Sequence, residues 1–234
     1  LDALREGRGL TITAGPAFTA KWLAPRIFHF LEREPEVEVR IVASLRVMDF
    51  ERDGIDAAIR FGRRVGPGDY SRVLFQDVMT PMCAPSLAGK LRDPQDLRGM
   101  ALIHDDSMAP LGTIANWGDW LDAAGVEKPD WGRGARFSNA DHALSAACEG
   151  GAVALGRPAL AEPELRTGRL VAPFRLAIDP EAQTRFICPK GAEAMPAMAT
   201  FLRWLDEEIA ATGNPLPDLE VLHIPRLVEA AARA

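Results

Sequence analysis

The stretch "GPAFTAKWLAPRIFHFLEREP" (residues 15–35) decides how this chain is read. A short apolar run, "LTITA" (10–14), precedes it and reads as a buried strand. The spacing then predicts a helix over 18–34, although Pro25 sits in its middle, where it removes a backbone donor and crowds the preceding turn. At 100° per residue Ala20, Leu23, Ile27, Phe30 and Leu31 share one face. Phe18, Trp22 and Phe28 fall on another side. A helix on a sheet needs one apolar stripe. The second is either an aromatic group sheltered by a neighbouring loop or a subunit interface.

Outward from this stretch the pattern repeats. "VEVRIVA" (37–43) alternates apolar and polar residues, as a strand with one buried face does. "MDFERDG" (48–54) fits one or two helical turns ended by Gly54, and "IDAAIRFG" (55–62) a third strand. "VLFQDVMTPMCAP" (73–85) reads as extended and broken near Thr80-Pro81. Further strands are expected at "ALIHD" (101–105), "GARFSN" (134–139), "AVALG" (152–156), "LVAPF" (170–174) and "QTRFICP" (183–189). Helices are expected at "NWGDWLDAAG" (116–125), "ADHALSAACEGG" (140–151), "RPALAEPELRTGR" (157–169) and "MPAMATFLRWLDEEIAATG" (195–213). This βαβ rhythm with short connections predicts mostly parallel sheets covered by helices, in two α/β units over about 9–78 and 79–187. The extended stretches near 77–83 and 184–189 are the natural crossovers.

Composition narrows the function classes. The 234 residues carry a net charge of −6, with 47% hydrophobic and 26% charged residues, as an ordinary globular chain does. An acidic balance argues against direct nucleic-acid contact by this segment. No apolar run reaches the 18 or so residues of a membrane span. The start, "LDALREGRG", has no methionine and no signal-peptide core, so we expect the chain to be part of a longer protein. Cys83, Cys148 and Cys188 lack metal spacing and read as reduced thiols of a reducing compartment. There is no GxSxG, GxxxxGK[ST] or HExxH motif, and no cofactor or metal is expected. "GRRVGPG" (62–68) reads as a surface loop. "HDD" (104–106) is a capping acidic turn or, less in keeping with its neighbours, a metal ligand set. His142 is either an exposed helix residue or a ligand contact.

Two helix starts are more telling: "AGPAFTAK" (14–21) and "FSNADHAL" (137–144). A helix N-terminus presents unpaired N–H groups that suit anions, and in open α/β sheets ligands bind beyond the carboxyl ends of the strands. Ser138 or Asn139 either caps its helix alone or also meets a ligand.

Together, "LTITAGPAFTAKWLAPRIFHFLEREPEVEVRI", "DFERDGIDAAIRFG", "LFQDVMTPMCAPSLA", "ARFSNADHALSAACEGGAVALGRPALAEPELRTGRLVAPF" and "TRFICP" resemble the effector-binding domain of LysR-type transcriptional regulators. The subgroup is that of the glycine-cleavage activator and the β-lactamase regulator. The resemblance covers most of residues 8–210. It implies a periplasmic-binding-protein-like α/β fold: two Rossmann-like subdomains joined by two crossover strands, with a ligand cleft between them. Residues 1–8 would end a linker from a preceding winged helix-turn-helix domain. Residues 9–78 with 188–212 would form the first subdomain, 79–187 the second, and 213–234 a C-terminal tail.

The resemblance also implies site residues. Ligand contacts would come from Pro16, Ala17, Phe18 and Thr19, from Arg46 and Asp49 in the loop 44–49, from Phe61 and Arg63, from Ser138 and Asn139, and from Thr184 and Phe186. Relatives often carry a hydroxyl where this chain has Ala17. Thr19 would compensate poorly on a regular helix, since it points about 200° away from Ala17. Trp22, Phe28 and Leu31 of one subunit would meet Ala143, Ala146 and Ala147 of another. The implied protein is a cytoplasmic bacterial regulator, dimeric in this domain and tetrameric at full length. It would bind a small-molecule effector, with Arg46 or Arg63 as charge partner, and reach DNA only through the preceding domain. The alternatives are a stand-alone periplasmic-type solute-binding protein and, without a nucleophile–base pair to support it, an enzyme.

Overall fold

The computed structural model describes residues 9–63, 65–111, 115–128 and 130–224. The linker expected at 1–8 and the end of the tail, 225–234, lie outside the described residues. Along the chain come β1 (Gly9–Ala14), β2 (Glu38–Ala43), β3 (Ala57–Gly62), β4 (Asp69–Phe75), β5 (Thr80–Met82) and β6 (Leu102–Asp105). They are followed by β7 (Ala135–Phe137), β8 (Val153–Gly156), β9 (Leu176–Ile178), β10 (Gln183–Pro189) and β11 (Glu220–Leu222). Helices of seven residues or more are Ile27–Arg33, Trp117–Ala123, Ala140–Cys148, Pro158–Arg166 and Pro196–Thr212.

The chain divides into two compact units: residues 9–76 with Gln183–Gly213, and Asp77–Ala182 with 214–224. The first holds a five-stranded sheet in the order β2-β1-β3-β10-β4. β1 is parallel to both β2 and β3, while β10 is antiparallel to β3 and β4. The return to the first unit falls at Gln183, ahead of the expected 188, because β10 pairs with β3 from that residue on.

The break at Pro25 has a local cause. The helix opens as Pro16–Phe18, widens into a π-helical turn at Thr19–Leu23, and stops. Ala24 N donates to Thr19 O at 2.8 Å, a bond five residues back. Pro25 has no N–H with which to continue, and a new helix starts at Ile27. The expected single helix over 18–34 is therefore two.

Two of the three aromatics on the second stripe, Phe18 and Trp22, are covered inside this unit, while Phe28 is exposed. Phe18 stacks on Trp22 at 5.2 Å between centroids, and Phe75 and Trp204 stand at 5.7 and 6.4 Å from Trp22. Phe30 packs on Phe201 and Trp204 at 5.3 and 5.5 Å. Trp22, Phe30 and Phe201 are at most 1% exposed. Burying each such ring contributes on the order of 2 kcal/mol. Arg26 spans the break: its guanidinium lies 5.0 Å over the Trp22 ring, and Nη1 donates to Trp22 O at 3.1 Å.

The second unit holds a four-stranded sheet, β5-β8-β6-β7, with β6, β7 and β8 mutually parallel and β5 antiparallel at the edge. Gly134 lets β7 begin close against β6: it has φ 138°, and a Cβ there would lie 2.0 Å from Leu102 O. "LVAPF" is not a strand. It makes one bridge, Cys83 to Val171, and the strand is β9, paired in parallel with β11. Among the described residues no helix is long and apolar enough to cross a membrane. The mixed α/β architecture is the one expected from the βαβ rhythm.

Candidate functional site

The parallel strands of the first unit, β1, β2 and β3, end at Ala14, Ala43 and Gly62. One side chain ties these ends together. Arg60 Nη2 donates to Thr13 Oγ1 at 2.7 Å and to Arg46 O at 3.0 Å, and Nη1 donates to Ser44 O. Thr13 Oγ1 in turn donates to Val42 O at 3.0 Å. All these acceptors are neutral oxygens. Burial pushes the Arg60 guanidinium below its ordinary pKa. Among the described residues this half-buried cation is thus held on neutral dipoles. Sequence reading favoured Arg46 and Arg63 and passed over Arg60 as a strand residue. Its place on a strand between "IDAAI" and Phe61 was the available signal.

The other candidates separate by exposure. Pro16 and Thr19 are half-buried at the first strand–helix junction. Ala17 and Phe18 are only 6% exposed. Thr19 Oγ1 is buried with no hydrogen-bond partner among the described residues. In the loop after β2, Arg46 pairs with Asp53 at 3.2 Å. Asp49 Oδ1 accepts from Arg52 N at 2.8 Å, so this carboxylate shapes its own turn. The Asp49 N–H, then Arg52 and Arg46, hold the Asp53 carboxyl below the usual carboxylate range. Phe61 and Arg63 are half-buried at the end of β3, and Phe61 lies directly opposite Thr184 of β10. Phe186, opposite Ile59, is fully buried.

In the second unit Ser138 is exposed and Asn139 occupies the N-cap position of Ala140–Cys148. Asn139 has extended backbone angles, yet its side chain makes no capping bond, and Oδ1 is buried without a partner among the described residues. Asn116 shows what capping looks like here: its Oδ1 accepts from Gly118 N at 2.8 Å and Asp119 N at 3.4 Å. An unmet buried acceptor costs about 1–3 kcal/mol, so Asn139 is poised for an external donor. A small hollow beside it is lined by Asp105, Ala140, Gly156 and Arg157, at the ends of β6 and β8.

Other readings settle plainly. His104 is buried and bonded to Arg133 O at 3.2 Å, Asp105 Oδ1 accepts from Ser107 N, and Asp106 pairs with Arg136 at 2.8 Å. "HDD" is thus an acidic turn whose groups are engaged locally. The His142 side chain is exposed on its helix. Burial pushes the Cys83 and Cys188 thiols up to about 11, as inert core cysteines require. Of the expected interface residues, Trp22, Ala143 and Ala147 are buried within their own units. Leu31 and Ala146 are half-buried, and Phe28 is 69% exposed.

Residues 5–210 match the family described as the LysR substrate binding domain. The chain is 31% identical over 211 residues to the glycine cleavage system transcriptional activator of Escherichia coli K12, covering 88% of this chain and 67% of that one. It is 30% identical over 210 residues to the HTH-type transcriptional regulator PerR of the same organism, covering 87% and 67%. The effector domain of the transcriptional regulator AmpR of Pseudomonas aeruginosa superposes with a TM-score of 0.71 at 28% identity, over 87% of this chain and 96% of that one.

Proposed function

The chain belongs to the LysR substrate-binding-domain family, and on that premise we propose that it senses a small anionic effector at the carboxyl ends of its parallel strands. It is the effector-binding domain of a LysR-type transcriptional regulator; its relatives regulate transcription, which does not favour a stand-alone solute-binding protein. The observation that carries the ligand class is Arg60, a half-buried guanidinium on β3 joined to neutral oxygens at the end of β1 and in the loop after β2. Pro16, Thr19, Arg46, Phe61, Arg63 and Thr184 frame that edge in the first unit. In the second unit Asn139 Oδ1, with Ser138 beside it, suits an N–H or O–H donor on an effector.

In this reading the effector stabilises one of two poses and so shifts the population of a homodimer, with a tetramer formed at full length. Phe28, Leu31 and Ala146 supply the outward apolar surface of the dimer. DNA is reached through a separate helix-turn-helix domain, in the cytoplasm. The domain senses and does not catalyse. The test is calorimetric titration of an effector into the wild-type chain and into Asn139→Ala. The reading expects a loss of affinity of tenfold or more in the variant, with folding unchanged. Equal affinities would remove Asn139 from the site.

A further inference from the structure

Away from the strand ends, three ligating groups converge near the last described residues. Asp179, Glu181 and His223 each offer one ligand atom, and these atoms lie within 4.8 Å of one another. We propose that they bind one divalent transition-metal cation of the zinc class and so fasten the 214–224 segment to the second unit.

The backbone builds the site. β11 runs parallel to β9 with Leu222 level with Ile178, and Asp179 N donates to Leu222 O at 2.9 Å. Asp179 and His223 are therefore the next residues on adjacent strands. Asp179 Oδ1 accepts from Glu181 N at 2.7 Å, which leaves Oδ2 to the imidazole. Such an orienting bond on a ligating carboxylate fixes the direction of its free oxygen. Glu181 stands at φ 54°, the one non-glycine residue at positive φ among those described.

The distances fit a shared cation better than a direct pair. His223 Nδ1 is 3.3 Å from Asp179 Oδ2 and 3.6 Å from Glu181 Oε1. A charge-assisted N–H···O bond is about 2.7–2.9 Å. Ligands on a tetrahedral zinc, with bonds of about 2.0–2.2 Å, stand about 3.3–3.6 Å apart. An imidazole nitrogen among the donors sets this group apart from surface carboxylates and favours zinc, cobalt or nickel over magnesium and calcium. The His223 side chain is 68% exposed, which leaves an entry path and a fourth position for water. Asp179 and Glu181 lie within the family match at 5–210, and His223 falls beyond it.

The test uses the whole chain after treatment with a chelator. Zinc chloride is titrated by calorimetry, and the melting temperature is followed in zinc and in magnesium. The proposal expects one equivalent of zinc, a rise in melting temperature that magnesium does not give, and at least tenfold weaker zinc binding in both His223→Gln and Glu181→Gln. Cobalt(II) should give the intense visible bands of a tetrahedral site, lost in the same variants. Both variants should melt as wild type does without metal, which shows that they fold. No saturable zinc binding, or binding unchanged in the two variants, overturns the proposal.

Discussion

Arg60 Nη2 donates to Thr13 Oγ1 at 2.7 Å, and that hydroxyl donates onward to Val42 O at 3.0 Å, so one guanidinium links the ends of β1, β2 and β3. Replacing Arg60 with Met strands a hydroxyl and two carbonyls. Bonds from a charged donor are worth about 1.5–3 kcal/mol each before the neighbours relax. A net loss of about 2–3 kcal/mol is expected in urea unfolding. Arg60→Lys should recover only part of it, because a single ammonium cannot match the fork that reaches Thr13, Ser44 and Arg46 together.

The two N-cap asparagines should behave differently. Asn116 caps its helix through two backbone N–H groups, and Asn116→Ala should cost about 1 kcal/mol. Asn139 Oδ1 caps nothing and is an unmet buried acceptor, so Asn139→Ala should raise stability by about 1 kcal/mol or more. Paired denaturation curves check this without any effector.

Trp22 and Phe28 separate folding from assembly. Trp22 is sealed by Phe18, Phe75 and Trp204, so Trp22→Ala should destabilise by about 3–5 kcal/mol. Phe28→Ala should leave the melting temperature of dilute monomer nearly unchanged and move the dimer–monomer equilibrium toward monomer in sedimentation runs.

Acid should release the loop after β2. The Asp53 carboxyl is held low by the Asp49 N–H first and then by Arg52 and Arg46. A depressed carboxyl binds its proton later in the folded state than in the unfolded chain. Its contribution is therefore complete above the usual carboxylate pKa of about 4 and is lost as pH falls through the depressed value. Asp96, held by the Asp93 and Arg92 N–H groups, acts in the same direction. Asp53→Asn should lower stability at pH 7 and flatten its fall below pH 4, as read from melting temperatures across that range.

Much of this was legible in the residues, for physical reasons. β2 and the long Pro196–Thr212 helix announce themselves through periodicity, and β1 and β3 through short apolar runs. Pro25 announces a break. What failed was non-local. "LVAPF" is apolar enough for a strand, but the partner that makes a strand nearby, β11, comes from beyond 213 and pairs with β9 instead. Trp22 reads as outward on a single helix, yet β4 and the Pro196–Thr212 helix supply Phe75 and Trp204 to cover it. Phe186, a ligand contact by resemblance, is buried by the sheet it joins. Arg60 and the Asp179–Glu181–His223 group depend on strand register, which spacing along the chain does not encode.

The central claim is that this domain binds a small anion at its strand ends. The direct measurement is the melting temperature of the chain against a panel of small carboxylates and phosphates, each also carrying an N–H or O–H group, at graded concentrations. A ligand that binds only the folded state raises it in proportion to the logarithm of its concentration. The account predicts at least one such ligand, whose effect is lost in Asn139→Ala and weakened in Arg60→Lys. A panel with no concentration-dependent shift, or a shift that both variants keep in full, contradicts it.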